Sequence, residues 1–388
     1  TVPVVQVDHL SAEERRAYII ADNRIAEKAG WDLSVLAPEL EFLSSIDLRF
    51  EVDVTGFSIG EIDVVIDEHQ RQSNLKDEDE GVLPEVGPAV TRPGDVWAIG
   101  GHRLACASAL EAASYETVLS GKEPRLVLTD PPYNIAISGF ARAANAHREF
   151  AMASGEMSEV AFIAFLTTAL TLACANLVPG GLAYVFMDHR HVYELIAAAR
   201  ASALTQMNIC VWDKINAGMG SFYRSRHEFC CVFKKGREPH LNTIELGRHG
   251  RDRSNVWSHR GLSGFGRGRD ADLAAHPTVK PWPLLADAIK DCTRRRDVVL
   301  DPFAGSGSTL IAAAKTGRVG YGIELDPAYV DVALKRLARC TGQTPILVAT
   351  GQSFAEVEAR RRNEAVEEPL ILIRKRSRTL KAEEVGHV

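Results

Sequence analysis

Residues 298–309 read VVLDPFAGSGST, and this stretch decides the fold. An apolar run, Val298 to Leu300, leads into a turn that contains Gly305 and Gly307, and a helix-like run follows from Leu310 to Thr316. Glycine lets a backbone pass close to a ligand and exposes NH groups at the start of a helix. Strand–helix alternation of this kind begins near residue 94, and it predicts a mostly parallel sheet covered on both faces.

A second motif, Asp130-Pro131-Pro132-Tyr133, ends the apolar run from Leu126 to Leu128. Open α/β sheets bind their ligands at the carboxyl ends of the strands. The residue types suit a planar base that carries an amino group. Asp130 can accept hydrogen bonds from that group, the two prolines stiffen the turn, and the ring of Tyr133 can stack on the base.

Two further motifs accompany the glycine turn. Glu324, in the stretch GIELD, ends the next predicted strand, where an acid suits the two hydroxyls of a ribose. The alternative is a surface acid that caps the following helix. The stretch HPTVKP, residues 276–281, precedes a predicted helix and can deliver Thr278 and Lys280 to the polar end of a cofactor, whereas the alternative is a plain loop with a solvated lysine.

Taken in order, the motifs DPPYN, HPTVKP, DPFAGSGST and GIELDP resemble the beta class of amino DNA methyltransferases over about residues 94–342. The resemblance implies a Rossmann-like, S-adenosylmethionine-dependent methyltransferase sheet with a circularly permuted motif order. The catalytic motif comes first, the cofactor motif second, and a target-recognition region lies between them. The implied catalytic residues are Asp130, Pro131, Pro132 and Tyr133. The implied cofactor-binding residues are Thr278, Lys280, Phe303, Gly305, Ser306, Gly307, Glu324 and Asp130.

One position departs from the family pattern. The family often has an acid upstream of the catalytic strand that contacts the adenine of the cofactor, and Ser108 stands at the matching place. A serine can still form a hydrogen bond there, so we include Ser108 among the expected cofactor residues.

The implied reaction is transfer of the methyl group of S-adenosylmethionine to the exocyclic amino group of a base flipped out of double-stranded DNA. An acid at the first motif position favours adenine N6, because the cytosine enzymes of the family more often carry serine there. Three alternatives stay open: a cytosine-N4 DNA methyltransferase, a ParB-like DNA-binding module with an inactive methylase body, and an RNA or protein amino methyltransferase. No metal is required, and the likeness leaves a homodimer open.

The charge of the chain is divided unevenly. The total is −6, but residues 1–95 hold 8 Lys and Arg against 21 Asp and Glu, and residues 214–270 hold 12 against 5. A local basic face can bind phosphate whatever the total charge. A solvated loop face is the alternative. The predicted DNA contacts in this basic region are Lys214, Tyr223, Arg224, Arg226, Arg248, Arg251, Arg253 and Trp257.

The chain divides by composition into four parts. Residues 1–66 are predicted to form a small α+β unit, with a strand at 2–7 and a helix that begins after Ser11. Residues 19–27 resemble the later part of a ParB-like domain, which we interpret as an accessory dimerisation or docking element. Residues 67–93 are an acidic linker, 94–342 the methyltransferase domain with target recognition at 214–275, and 343–388 a polar and basic tail.

Two other classes of protein are disfavoured by composition. The seven cysteines include no C-x-x-C pair, which argues against a disulfide scaffold or a zinc site. The most apolar stretch, residues 160–178, carries several threonines and stops at Pro179, so a buried helix fits better than a membrane span. We therefore expect a cytoplasmic, nucleoid-associated enzyme with no membrane partner.

Overall fold

The computed structural model describes residues 8–24, 31–46, 48–73, 84, 87–135, 155–216, 222–244, 247, 253–261 and 279–364. The described N-terminal elements are all helical: α1 (Ala12–Arg24), α2 (Leu33–Ser45), a short 3-10 helix (Val52–Thr55) and α3 (Ile59–Ser73). The strand predicted at residues 2–7 lies outside the described residues. The predicted capping box of α1 is present, because the Ser11 amide donates to Glu14 Oε2 at 2.7 Å and the Glu14 amide donates to Ser11 Oγ at 3.1 Å.

Ten strands form one sheet in the order β10-β1-β2-β9-β8-β3-β4-β6-β5-β7. The strands are β1 (Val96–Ile99), β2 (His102–Cys106), β3 (Leu126–Thr129), β4 (Leu182–Met187), β5 (Leu204–Asp213), β6 (His227–Lys235), β7 (Val256–Ser258), β8 (Val298–Asp301), β9 (Val319–Glu324) and β10 (Ile346–Leu347). The five central strands, from β2 to β4 in this order, are parallel. The predicted parallel sheet is thus confirmed at its centre, whereas β1, β6 and β10 pair antiparallel with their neighbours.

Helices cover both faces of the sheet: α4 (Ala112–Leu119), α5 (Glu159–Ala175), α6 (Val192–Ala201), α7 (Trp282–Cys292), α8 (Ser308–Lys315), α9 (Pro327–Thr341) and α10 over residues 354–364. Successive strand residues point to opposite faces. Val127 therefore packs in the core beneath α5 and α6, whereas Leu126 and Leu128 pack in the core beneath α7 and α8. The apolar helix α5 is buried as predicted, and no helix among the described residues is long and apolar enough to cross a membrane.

Two predicted boundaries differ from the structure. The chain does not leave the fold after Gly342, because Ile346 and Leu347 pair with β1 and Arg361 of α10 donates to the carboxylate of Asp95 at 2.9 Å. The predicted linker at 67–93 begins inside α3 and ends in contact with the body, since the amides of Val90 and Thr91 donate to the carboxylate of Asp331 at 2.6 and 3.1 Å. These segments are too short to show a hydrophobic period. The remaining domain boundaries stay predictions.

The N-terminal helices are joined to the sheet domain by a buried ion-pair cluster. Arg318, just before β9, is fully buried and donates to both carboxylate oxygens of Asp63 in α3, at 2.8 and 2.7 Å. Its Nε donates to Thr293 Oγ1 at 3.0 Å, and Arg295 lies 3.5 Å from the same carboxylate. Burial alone would raise the pKa of Asp63, but Arg318 outweighs burial and lowers it. We call Asp63, Thr293, Arg295 and Arg318 the docking cluster.

Candidate active site

The catalytic and cofactor motifs meet at the carboxyl ends of neighbouring strands. Asp130 follows β3 directly, and β3 pairs with β8, in which Asp301 is the last residue. Thr129, buried at the end of β3, donates a hydrogen bond to Asp301 Oδ1 at 2.7 Å. Burial raises the pKa of Asp301 to about 6. Two motifs that are far apart in sequence are therefore linked by one buried hydrogen bond.

The turn after β8 needs glycine for two reasons. Gly305 and Gly307 have φ values of +50° and +83°, in the left-handed region. A Cβ added to Gly307 would lie 2.9 Å from the Cβ of Ala333 in α9, whereas one added to Gly305 would meet nothing within 4 Å. The backbone at Gly305 thus borders open space, as a ligand-binding turn requires. The buried hydroxyl of Ser306 accepts a hydrogen bond from Arg336 at 2.9 Å, and its predicted contact with the cofactor stays a prediction.

Glu324, at the end of β9, is held by backbone amides alone. Its Oε2 accepts from the Gly305 amide and its Oε1 from the Asp326 amide, both at 2.8 Å. Burial raises the pKa of Glu324 to about 7. Each oxygen keeps a further lone pair, so the carboxylate can accept from the two hydroxyls of a ribose.

Ser108 and Phe303 lie close to this carboxylate along the sheet. Ser108 follows β2, whose last residue Cys106 pairs with Glu324, and its hydroxyl accepts from the Leu110 amide at 3.2 Å. Phe303, half-buried, packs its ring 5.8 Å from that of Phe165. An acid for ribose, an uncovered glycine turn and a half-buried aromatic ring fit S-adenosylmethionine. Thr278, also predicted to bind the cofactor, lies outside the described residues.

The structure places Lys280 against the catalytic acid Asp130, and its predicted contact with the cofactor stays a prediction. Its Nζ donates to Asp130 Oδ2 at 2.5 Å and lies 3.1 Å from Glu228 Oε2. The hydroxyl of Tyr133 donates to Asp130 Oδ1 at 2.6 Å, and Lys214 forms an ion pair with the other oxygen of Glu228. Lys280 thus contacts the catalytic acid directly. We call Asp130, Tyr133, Lys214, Glu228 and Lys280 the catalytic cluster.

The two acids of the catalytic cluster differ in how far the nearby lysines offset the effect of burial on their pKa. Burial raises the pKa of Asp130, and Lys280 only partly offsets it. Burial also opposes ionisation of Glu228, but Lys280 and Lys214 outweigh it and lower the pKa of Glu228 to about 2. Burial would lower the pKa of Lys280, yet the two carboxylates raise it. Asp130 is therefore the less well compensated acid and the better proton acceptor.

Aromatic rings surround the Lys280 ammonium. Its Nζ lies 5.4 Å from the ring centre of Tyr133, 5.2 Å from that of Phe186 and 5.9 Å from that of Trp212. Lys280 is only 7% exposed, whereas Asp130 is 23% exposed. The ammonium is thus packed among aromatic rings, of which Phe186 and Trp212 belong to the buried core, and the more exposed carboxylate of Asp130 lies at its side.

Glu228 is a site residue that the sequence reasoning missed. The rule for parallel sheets points to the carboxyl ends of strands. The strand β6 runs antiparallel to β4, so its amino end lies at the same edge of the sheet as the carboxyl end of β4. Glu228 is the second residue of β6 and pairs with Trp212. The sequence contains one signal that could have indicated Glu228: an acid at the start of the strand that follows a basic loop.

The predicted DNA contacts separate into four groups, of which the last is Trp257 with Arg253. Tyr223 and Arg224 are exposed in the loop between β5 and β6, where the side chain of Tyr223 is 83% exposed. Lys214 faces the catalytic cluster, and Arg226 forms a two-pronged ion pair with Asp213 at 2.6 and 2.7 Å. Arg248 and Arg251 lie outside the described residues.

Trp257 and Arg253 do not fit the predicted DNA contact. Trp257 is buried in β7 and packs 6.2 Å from Tyr184, because the core beneath α7 needs a large side chain there. Arg253 lies over the Trp257 ring at 5.2 Å and pairs with Asp287 at 3.0 Å. Both side chains stabilise the edge of the sheet.

Asn134, just after the catalytic motif, holds two parts of the chain together by hydrogen bonds. It has a φ of +54°, and its side-chain oxygen accepts from the amides of Gly155 and Met157, each at 3.1 Å. Its Nδ2 donates to the Met157 carbonyl at 2.8 Å. The two ends of the segment between residues 134 and 157 are therefore held together by one side chain.

The fold and the site are those of an α/β enzyme with its site at the carboxyl ends of the strands, and a family comparison identifies the class. The model of the DNA methylase family N6_N4_Mtase matches residues 125–335, more than half of the chain. The chain belongs to this family of DNA methylases. The predictions of family, fold class and S-adenosylmethionine as cofactor are confirmed at this level. A second model, the ParB-methyltransferase HTH domain, matches residues 34–93, later in the chain than the ParB-like stretch at 19–27.

Individual relatives are more distant. The Type II methyltransferase M.HpaI of Haemophilus parainfluenzae is 25% identical over 252 residues, covering 61% of this chain and 74% of that protein. The Type II methyltransferase M.HinfI of Haemophilus influenzae is 29% identical over 224 residues, covering 55% and 62%. The crystal structure of the M1.HpyAVI–SAM complex is 20% identical, with a TM-score of 0.44, and covers 60% of this chain and 98% of that one. Among the described residues, no group of three His, Cys, Asp or Glu side chains is placed to hold a metal ion.

Proposed function

We propose that the protein transfers the methyl group of S-adenosylmethionine to the N6 amino group of adenine in double-stranded DNA. The observation that carries the proposal is the place of Asp130 and Tyr133. They form the tip of β3, one strand away from the glycine turn of β8 and two from Glu324. Neighbouring strands are about 4.8 Å apart, so a base at Asp130 and a cofactor at Glu324 can meet at one sheet edge.

The side chains of the catalytic cluster suit this reaction. S-adenosylmethionine, when bound, supplies an electrophilic methyl group. Asp130 accepts a hydrogen bond from the target amino group, which frees the nitrogen lone pair for attack, and it takes up the proton that the methylated nitrogen releases. Its raised pKa favours that step. Positioning and electrostatic stabilisation supply the remainder of the rate enhancement.

The loop between β5 and β6 offers a surface for DNA. Phe222 and Tyr223 are 85% and 83% exposed, and their ring centres lie 4.4 Å apart. Exposed aromatic side chains beside arginine are suited to stacking on bases and contacting phosphates. Because Lys214, at the base of this loop, belongs to the catalytic cluster, DNA held by the loop would lie next to Asp130.

The assignment of adenine rests on the acid at position 130. A cytosine-N4 methyltransferase is the second candidate, because the matched family includes both kinds of enzyme. Either base presents an exocyclic amino group to Asp130, so the chemistry of the site is the same for both.

The test is transfer of labelled methyl from S-adenosylmethionine to unmethylated genomic DNA, followed by nucleoside analysis. We expect N6-methyladenine. N4-methylcytosine would keep the mechanism and overturn the choice of base. Binding of the cofactor without transfer to DNA would contradict the proposal, and Asp130→Ala is the matched variant that must lose transfer.

A further inference from the structure

Lys280 occupies the place on Asp130 that the target base needs. Its ammonium, like an exocyclic amino group, is a nitrogen donor, and it is bonded to Asp130 Oδ2 at 2.5 Å. The other oxygen of Asp130 is taken by the Tyr133 hydroxyl at 2.6 Å. The same ammonium packs beside the ring of Tyr133 and the buried rings of Phe186 and Trp212. A base cannot bond to Asp130 Oδ2 while Lys280 holds this position.

Glu228 offers the ammonium a second acceptor without a long movement. Its Oε2 lies 3.1 Å from Lys280 Nζ, so the bond to Asp130 can be given up while a carboxylate partner is kept. The pair with Lys214 keeps Glu228 charged before and after such a shift. A buried ammonium without a partner would be costly, and Glu228 removes that cost.

We propose that Lys280 and Glu228 form a hand-off pair, in which the Lys280 ammonium closes the base site of the empty enzyme and moves to Glu228 when the base enters. Both are positioning residues for the reaction proposed above, on which this inference rests. The hand-off also leaves Asp130 without its cation at the moment when it must accept a proton. Lys280 therefore serves the base and not the cofactor.

The hand-off predicts opposite effects of two substitutions on base entry. Lys280→Met removes the competing ammonium, so the flipped state gains population by roughly tenfold, the value of one charge-assisted hydrogen bond. Glu228→Gln removes the anionic acceptor, so Lys280 stays on Asp130 and the flipped state loses population to a similar extent. In the double variant, the effect of Glu228→Gln should vanish because no ammonium remains to be held.

The measurement uses the full chain and a duplex in which 2-aminopurine stands next to the target base, at the site mapped from wild-type methylation. Fluorescence reports flipping, and calorimetry reports the Kd of S-adenosylmethionine, which should change by less than about twofold in Lys280→Met. Steady-state kinetics should show a raised KM for DNA and a lowered kcat in Glu228→Gln. The matched controls are Lys122→Met and Glu123→Gln, both exposed in the loop before β3 at the opposite edge of the sheet.

Each outcome decides between the roles. Opposed changes in fluorescence with an unchanged cofactor Kd support the hand-off. Changes in the same direction, or a cofactor Kd weakened tenfold or more in Lys280→Met with flipping unaltered, would overturn it and return Lys280 to the cofactor. A wild-type protein that transfers no methyl to DNA would instead refute the proposed function, and the hand-off with it.

Discussion

The docking cluster and the catalytic cluster are both built from carboxylates and cations, and they differ in how completely one carboxylate of each is paired. In the docking cluster, one arginine fits both oxygens of Asp63, and the guanidinium is fully buried. In the catalytic cluster, Asp130 shares Lys280 with Glu228, Glu228 has Lys214 as a second partner, and Asp130 stays partly exposed. The pKa of Asp63 is lowered, whereas that of Asp130 is raised. The fully paired carboxylate of Asp63 holds the N-terminal helices on the sheet domain. The carboxylate of Asp130, whose charge is less completely compensated, can accept a hydrogen bond from a further donor.

The largest effect on activity is expected when Asp130 is replaced. Asp130→Ala should lower kcat on the order of 10³-fold, because it removes the acceptor of the amino proton. The melting temperature should hardly change, since Lys280 keeps Glu228 as a partner. Methyl-transfer kinetics and thermal unfolding measure the two effects. Glu123→Ala, at an exposed acid, is the control; a large loss of stability in Asp130→Ala alone would mean that the cluster holds the fold as well.

At the docking cluster, a substitution should change the stability of the fold and leave methyl transfer in place. Arg318→Met should lower the free energy of unfolding by about 3–5 kcal/mol, because the buried carboxylate of Asp63 would lose both charge-assisted hydrogen bonds and keep only Arg295, 3.5 Å away. Denaturant unfolding of the full chain measures this loss. The double variant Asp63→Leu with Arg318→Met should recover a large part of it. If Arg318→Met abolished methyl transfer at temperatures where the protein stays folded, the clusters would not be separate.

A third acid, the half-buried Glu324, sharpens the contrast: it is bonded to backbone amides, and its pKa is raised to about 7. Ribose hydroxyls donate to the ionised form, so affinity for S-adenosylmethionine should rise with pH up to about 7. Below that pKa it should fall by up to roughly tenfold per pH unit. Calorimetry from about pH 5.5 to about pH 8.5 measures this affinity, because that range extends to both sides of the raised pKa of about 7. Glu324→Gln should bind more weakly and lose the dependence; a dependence that survives there points to Asp301, whose pKa is about 6.

The folded protein itself should respond to pH in the opposite sense. Because the folded-state pKa of Glu324 lies above its unfolded value, its contribution to stability is complete below the unfolded pKa and is lost as pH rises through about 7. Cofactor affinity and stability of the empty protein should therefore change in opposite directions across this range. Thermal unfolding with and without S-adenosylmethionine separates the two.

The smallest effect is expected where an ion pair is exposed. Arg226 binds Asp213 with good geometry, but its side chain is 55% exposed. Arg226→Met should therefore change the free energy of unfolding by less than about 1 kcal/mol. The result is compared with Arg318→Met in the same denaturant experiment. A loss as large as that of Arg318→Met would show that burial does not explain the difference.

The centre of the fold could be predicted from the sequence because its strands are continuous apolar runs. The apolar runs at 126–128 and 298–300 lie in β3 and β8, and the helix-like run at 310–316 overlaps α8. The short strand β2 was not predicted, since its stretch His102–Cys106 begins with two polar residues and has no clear period. Local patterns cannot show that Ile346 pairs with β1, because that contact depends on the whole sheet.

The candidate site could be predicted only as far as motifs mark it. The sequence places Asp130, Glu324 and the glycine turn at one edge, and the structure agrees. It does not show which ligand Lys280 faces, because spacing brings the lysine to the edge without giving its direction. Trp257 was assigned to DNA from its basic neighbours, although a tryptophan in such a region can equally fill a core. Glu228 depends on an antiparallel pairing that motif order does not reveal.

The clamp made by Asn134 has a consequence for how this enzyme could diversify. Because residues 134, 155 and 157 are bonded to one another, the catalytic motif keeps its register whatever length of chain joins the two ends. Asn134 therefore ties the end of β3 to the start of the chain that leads into α5. A different sequence grafted between positions 135 and 155 should for this reason leave the chemistry of Asp130 in place.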